Sequence, residues 1–403
     1  MLRRTRSIGR PVSAPRPVSL AIGGLAALAA AMGFGRFVYT PILPIMTQAL
    51  GMTQASAGFL ASANYLGYLA GAFAAATSLL RGSRRAWFIW GLAASAITTG
   101  AMAFADSQWA FLVLRFAGGV ASAFVLVFSS ALVIDRVHAA GRSGLAALYF
   151  AGVGTGIALA ALLVSSLAFL GFGWRAHWLA SGVVSLIALA IAAVLVPDRA
   201  EPRPSQAPQG GRAKRGLSAL ITAYGLFGFG YVITATFLVA IVRGADAIRP
   251  LEPLIWLVVG IAAVPSVALW TWLARRTDIS LAFAVACLME AAGVAASVLW
   301  ISIPGVLLAA VLLGGTFVGI TALGLVGARQ LSSGDPRHTL AMMTAAFGLG
   351  QTIGPAFAGI LSDATGSFLA PSLVAAGALL VSALLVGAGR TRSSLTWHHS
   401  DRR

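Results

Sequence analysis

Charge is what this chain has least of. Asp, Glu, Lys and Arg make up 10% of its 403 residues, against about 25% in an ordinary soluble domain, while 59% of residues are apolar. So little charge cannot cover the surface of a soluble globular protein of this size. The charge that is present is also lopsided, with 28 basic against 11 acidic residues and a formal net charge of +17. In a soluble domain such a balance would point to nucleic acid. Here the basic residues sit in alternate short loops, so membrane lipid is the expected surroundings and no nucleic-acid partner is expected.

Other absences narrow the chemistry. Lys214 is the one lysine, so there is no GxxxxGK[ST] phosphate loop and no basis for ATP-driven transport by this chain alone. Cys287 is the one cysteine, which excludes an internal disulfide and a cysteine-based metal site. His138, His177, His338, His398 and His399 lack the HExxH spacing, and no GxSxG nucleophile elbow is found. The expectation is a protein with no enzymatic activity, no cofactor and no metal.

Long apolar runs are what the sequence does have. Crossing a bilayer as a helix takes about 20 residues, and runs of that length fall at 18–46, 54–80, 86–105, 109–134, 145–170 and 175–196. A second set falls at 217–242, 252–274, 279–302, 304–329, 338–362 and 368–389. Numbering the connecting loops in order, 23 of the 28 basic residues fall in the tails and even-numbered loops. Only Arg175, Arg243 and Arg249 lie in the odd-numbered ones. The excess of basic residues in cytoplasmic loops then puts both termini in the cytoplasm. Trp109 and Trp300 fall at outer ends of spans and Trp87 and Trp272 at inner ends, as interfacial anchors do. The basic start followed by an apolar run resembles a secretory signal, with Ala29-Ala30-Ala31 a weak cleavage site. Cleavage would leave the C-terminal arginines on the wrong side, so the first span is expected to stay.

The fold class expected is all-α integral membrane, with twelve transmembrane helices as two six-helix bundles. Residues 1–17 read as a cytoplasmic tail and 18–196 as the first bundle. Residues 197–216, PDRAEPRPSQAPQGGRAKRG, read as a flexible cytoplasmic linker, 217–389 as the second bundle and 390–403 as a cytoplasmic tail. The bundles repeat. Gly33 to Thr40 corresponds to Gly228 to Ala235 at an offset of 195, and FAGGVASAFVLVFSSAL (116–132) to LLGGTFVGITALGLVGA (312–328) at 196. An even number of spans per half makes the repeat parallel, and repeats of this kind frame a site near the membrane midplane.

Twelve spans, a 6+6 repeat, a long central loop and basic loops after spans two and eight together resemble the major facilitator superfamily. GFGRFVYTPILPIM (33–46), LASANYLGYLAGA (60–72), LRFAGGVASAFVLVFSSALVIDR (114–136) and GGTFVGITALGLVGAR (314–329) are similar to its YbfB/YjiJ-like branch. The resemblance covers nearly the whole chain and implies secondary transport in a cell membrane, a bacterial inner membrane, by a monomer. It also implies a coupling role for Arg115, which stands where the superfamily's fourth span carries an Arg before Gly-rich packing. Arg81-Gly82-Ser83-Arg84-Arg85 keeps the basic end of the gating motif after span two but lacks its acidic residue. Gly152 to Ile157 has the glycines of the fifth-span antiporter motif without its proline.

Three ionisable residues lie at span depth: Arg36, Arg115 and Glu290. A central Arg costs about 2.5–3.5 kcal/mol on insertion scales, so such residues face a cavity or a partner rather than lipid. Arg36, followed by Pro41 and Pro44, is read as a donor fork for an anionic substrate group. Its alternative roles are a structural ion pair or a bond to backbone carbonyls freed by the prolines. Arg115 is read as coupling or substrate-binding, with snorkelling outward as the alternative. Glu290 is read as a proton carrier or a structural partner. Tyr39, Asn64, Tyr65, Tyr68, Tyr231, Thr234 and Gln351 are candidate cavity-lining residues, with helix-to-helix hydrogen bonding as the alternative. Gly118, Gly119, Gly314 and Gly315 read as close helix-packing positions.

Two buried positive charges against one carboxylate favour a small anionic or carboxylate-bearing solute moved by alternating access, with proton coupling open. The alternative is efflux of amphipathic or cationic compounds. A transport-dead sensor or scaffold is the remote one, because linker and tail are too short for a folded output domain.

Overall fold

The computed structural model describes residues 17–77, 80–198, 216–332 and 336–400, with 336–337 and 389–400 as backbone alone. The tail before Pro17, the linker over 199–215 and residues 401–403 lie outside the described residues. Among the described residues every regular element is a helix. That follows from the composition, since a backbone surrounded by lipid must satisfy its own N–H and C=O groups.

The helices follow the apolar runs: α1 Pro17–Leu50, α2 Gln54–Ala76, α3 Arg84–Phe104, α4 Gln108–Ala139, α5 Leu145–Phe169, α6 Trp174–Leu195 and α7 Leu217–Gly244. There follow α8, made of Arg249–Ala263 and Ser266–Arg276 bent by 40°, α9 Ile279–Leu299, α10 Ile303–Leu331, α11 Pro336–Thr365 and α12 Leu369–Ser400. Among the described residues ten helices are individually long and apolar enough to cross a membrane, eleven when the bent pair in α8 counts as one. The remaining helix, α11, carries Gln351, Ser362 and Asp363 and is the more polar. Starts are set locally. Thr53, Ser83, Ser107, Asp278 and Ser302 each accept a hydrogen bond from the backbone N–H three residues on, filling one of the donors a helix start leaves open.

Packing is set by glycine where helices cross most closely. A Cβ on Gly119 of α4 would stand 2.0 Å from the Asn64 carbonyl oxygen of α2, and one on Gly314 of α10 would stand 2.2 Å from that of Val259 in α8. Gly315 departs from the sequence reading, because a Cβ there would meet nothing within 4 Å. Its carbonyl instead accepts from Ser266 Oγ at 2.8 Å and Trp270 Nε1 at 2.7 Å, tying α10 to α8.

The two halves meet along α2 with α11, α5 with α8 and α1 with α7. Thr40 of α1 donates to the Ala235 carbonyl of α7 at 2.6 Å, across a sequence separation of 195. That separation equals the repeat offset. Two equivalent positions of a two-fold repeat touch only near its axis, so this bond marks the centre of the molecule. At the end away from Pro17, Asp363 of α11 accepts from the backbone N–H groups of Gln54 and Ala55 at 2.9 and 2.8 Å, so an acid of one half caps a helix of the other. Beside it a cavity of about 690 Å³ opens between α1, α7 and α8, lined by Pro44, Gln48, Gln54, Arg243 and Glu252 among others.

The basic loop after α2 works within its own half. Arg85 donates to the Val196 and Ala193 carbonyls, both at 2.8 Å, and Arg136 to that of Pro197 at 2.9 Å. These carbonyls, at and just past the end of α6, need donors from elsewhere.

Candidate functional site

The middle of α1 is not an α-helix. From Ala29 to Phe37 it widens to a π-helix, a form seen mostly as short irregularities at functional positions. Gly33 and Gly35 let this run press on its neighbours: a Cβ on Gly33 would be 2.3 Å from the Gly156 backbone of α5, and one on Gly35 would be 2.5 Å from Ser95 Oγ of α3. Pro41 follows and has no N–H to offer the carbonyls four or five residues before it. The run therefore exposes backbone carbonyls beside Arg36.

Arg115 of α4 takes them up. Its Nη1 donates to the Gly35 carbonyl at 3.2 Å and its Nη2 to that of Arg36 at 3.3 Å, with the guanidinium over the Tyr39 ring at 4.8 Å and near that of Trp178 at 5.8 Å. Asn64 of α2 donates to the Arg115 carbonyl at 2.9 Å and Tyr39 to the Ala57 carbonyl at 2.8 Å. Arg115, Tyr39 and Asn64 thus form one cluster joining α1, α2 and α4.

Arg36 itself points the other way. Its guanidinium lies over the rings of Tyr65 and Tyr68 on α2, at 4.4 Å from each centroid. Cation–π contacts of this sort are worth about 0.5–2 kcal/mol each. Nη2 donates to Gln351 Oε1 of α11 at 2.9 Å, Gln351 Nε2 donates to Tyr231 Oη of α7, and Nη1 faces Met32 Sδ at 4.0 Å. The Nε of Arg36 has no partner. The side chain is 6% exposed, and among the described residues neither Arg36 nor Arg115 is ion-paired. Arg36 and Tyr231 are equivalent under the repeat, so the Arg36–Gln351–Tyr231 chain crosses from one half to the other beside the axis.

Aromatic rings continue from Tyr231. It stacks on Phe317 of α10 (5.7 Å, 10°) and on Phe347 of α11 (5.9 Å, 6°), with Phe227 and Tyr224 of α7 stacked on the same group. Phe37 sets its ring edge-on to Phe317 and near Trp256 of α8. Thr234 Oγ1 and Trp256 Nε1, both buried, have no hydrogen-bond partner.

This geometry belongs with what the chain is similar to. Residues 28–387 match the family described as "Uncharacterised MFS-type transporter YbfB". The chain belongs to that family. An MFS-type transporter of Bacillus subtilis (strain 168), YceJ, also described as uncharacterized, is 28% identical over 222 residues, 51% of this chain and 54% of that one. The match therefore spans about half the length of that relative. Among solved structures, the nucleoside transporter NupG superposes with a TM-score of 0.68 at 16% identity, covering 93% of this chain and 98% of that one. A bacterial homolog of the human lysosomal transporter Spinster, inward-facing and occupied, gives 0.69 at 14%, covering 94% and 98%. At these identities the likeness is one of fold. The chain is a multi-pass membrane protein of the MFS type, folded as two six-helix bundles.

Within this MFS-type fold the structure brings Arg36, Tyr65, Tyr68, Tyr231 and Gln351 into one cluster and places Thr234 a turn along α7. Arg115, Tyr39 and Asn64 adjoin it through the α1 backbone. Glu290 lies at the edge of this group, on α9 beside Thr316 of α10 and within electrostatic range of Tyr231, fully buried with both carboxyl oxygens lacking a hydrogen-bond partner; the Thr316 hydroxyl is directed to the Leu312 carbonyl at 2.6 Å. Sequence reading passed over the aromatic residues Phe317, Phe347, Phe227 and Tyr224. The one signal for them was the i, i+3, i+7 spacing of Tyr224, Phe227 and Tyr231 on a single face of α7.

Proposed function

We propose that this MFS-type transporter moves a small carboxylate-bearing solute by alternating access, with Arg36 taking the anionic group. On this reading both termini face the cytoplasm, and residues 18–196 and 217–389 form two bundles that rock about the Thr40–Ala235 contact. The observation that carries it is the state of Arg36. A buried guanidinium at mid-span, set over two tyrosine rings, without a counter-carboxylate and with a free Nε, is a charge awaiting a partner. The cost of burying it is offset only in part by the rings and Gln351, and an anion supplies the remainder. A bidentate carboxylate suits the planar fork. The cavity lined by Pro44 is two turns along α1 from Arg36 and is the entry route on this reading.

Proton coupling falls to Glu290, a carboxyl group at span depth with neither a basic partner nor a hydrogen bond to hold it in one state. Arg115 is a positioning residue on this reading, holding the α1 carbonyls rather than meeting solute.

The test is flux through proteoliposomes. Labelled organic acids should exchange in wild type, and Arg36→Gln should abolish exchange at unchanged membrane incorporation. Exchange of lipophilic cations that survives Arg36→Gln would instead support drug-type efflux and overturn the anion reading.

A further inference from the structure

The two ends of the cluster around Arg36 differ in chemistry, and the difference specifies what body the anionic solute carries. Among the described residues, parallel ring stacking is confined to one place. Elsewhere buried rings meet edge-on or tilted, as in Trp87–Phe124 at 78°, Phe111–Trp174 at 72°, Phe124–Phe128 at 84° and Tyr149–Phe150 at 78°. Edge-on and tilted contacts are what close packing of rings ordinarily yields alongside offset stacking. The five stacked pairs among the described residues all lie among Tyr224, Phe227, Tyr231, Phe317 and Phe347. The rings come from α7, α10 and α11, so the common orientation belongs to the place where those helices face one another, not to one helix face.

This set of flat faces is joined to the charge. Tyr231, the ring between Phe317 and Phe347, is bonded through Gln351 to Arg36, so the free Nε of Arg36 and the flat faces belong to one connected assembly. Its unpartnered polar atoms are all donors or hydroxyls: Arg36 Nε, the Thr234 hydroxyl one turn from Tyr231, and Trp256 Nε1 beside Phe37. Among the described residues no carboxylate is hydrogen-bonded or ion-paired within it; Glu290, beside Thr316, lies within electrostatic range of Tyr231.

We infer that the solute is an aromatic or otherwise flat conjugated carboxylate, its anionic group on Arg36 and its ring laid parallel to Tyr231, Phe317 and Phe347. The inference rests on the anion reading above and goes beyond it by assigning those three rings a specificity role. A flat ring adds a face to the stack at low entropic cost. A saturated ring of the same size is thick, presents hydrogens on both faces and cannot lie at stacking distance.

Paired ligands separate the two claims. Binding to the purified full-length protein is measured by titration calorimetry for benzoate, phenylacetate and cinnamate, for their cyclohexyl counterparts, and for benzamide. The aromatic acids should bind at least about tenfold more tightly than the saturated ones. Non-specific partition into detergent or lipid runs the opposite way, because the saturated rings are more apolar. Phe317→Leu and Phe347→Leu should remove that preference and keep the preference for carboxylate over amide. Equal affinity for each aromatic and saturated pair, with binding still dependent on Arg36, overturns the flat-body inference and leaves the anion reading standing. Benzamide binding as well as benzoate overturns the anion reading. No binding by any of the acids overturns both, and since the ligand panel is run on wild type, none of these outcomes depends on a variant folding.

Discussion

Replacing Arg36 by lysine keeps the charge and loses the geometry. An ammonium group is a point charge on a flexible stem; it cannot lay a flat face against Tyr65 and Tyr68 together while donating to Gln351. Arg36→Lys is expected to lower carboxylate affinity at least about tenfold, measured as the KM for exchange in proteoliposomes, with the amount inserted unchanged. Wild-type exchange by the lysine variant would show that charge alone suffices. Glu290 makes a separate prediction. If it carries the coupling proton, uptake by wild type is faster with acid outside, and Glu290→Gln flattens that dependence. A variant with the same pH profile as wild type removes Glu290 from the cycle. Both residues were legible in the sequence, because an ionisable group in an apolar run stands out. Their surroundings were not: the tyrosines around Arg36 and the neighbours of Glu290 depend on which faces of α1, α2, α9 and α10 meet, and apolar spans carry little periodicity to say.

At the scale of the element, α1 shows what a span boundary does and does not reveal. Its extent follows from hydropathy to within a few residues, and Pro41 and Pro44 mark it as irregular. The irregular run itself lies earlier, over Ala29–Phe37, where glycines admit α3 and α5. The carbonyls freed there were an alternative role for Arg36, yet the structure gives them to Arg115, because spacing along α4 does not say which neighbour its arginine reaches. Arg115→Gln leaves the Gly35 and Arg36 carbonyls short of donors in a buried site, at about 1–3 kcal/mol for each unsatisfied group, and should lower the melting temperature by several degrees. Pro41→Ala restores an N–H within reach of the Arg36 carbonyl, five residues before it, though not of Gly35. The double variant should therefore recover part of the stability lost in Arg115→Gln, and purely additive losses would contradict this account of the bulge.

For the whole molecule, the repeat in the amino-acid sequence locates the centre, since the offset of 195 reappears as the Thr40–Ala235 bond. Contacts between the halves were not legible, because they join α2 with α11 across roughly three hundred residues of chain. One of them should bias the balance between the proposed states. Asp363 caps Gln54 and Ala55 across the two halves at the far end, and an exposed cap of this kind is worth about 0.5–1 kcal/mol. Asp363→Ala should shift the equilibrium toward opening there by roughly two- to fivefold, seen as a broader distance distribution between spin labels at Gln48 and Ala247. An unchanged distribution would mean the latch lies elsewhere.

Anion binding at Arg36 is tested most directly by a thermal-shift screen of wild type and Arg36→Gln against organic acids, sugars, amino acids and lipophilic cations. A ligand that binds only the folded protein raises its melting temperature by mass action. Carboxylates should stabilise wild type and leave Arg36→Gln unshifted. Stabilisation by lipophilic cations alone, equal in both proteins, would contradict it.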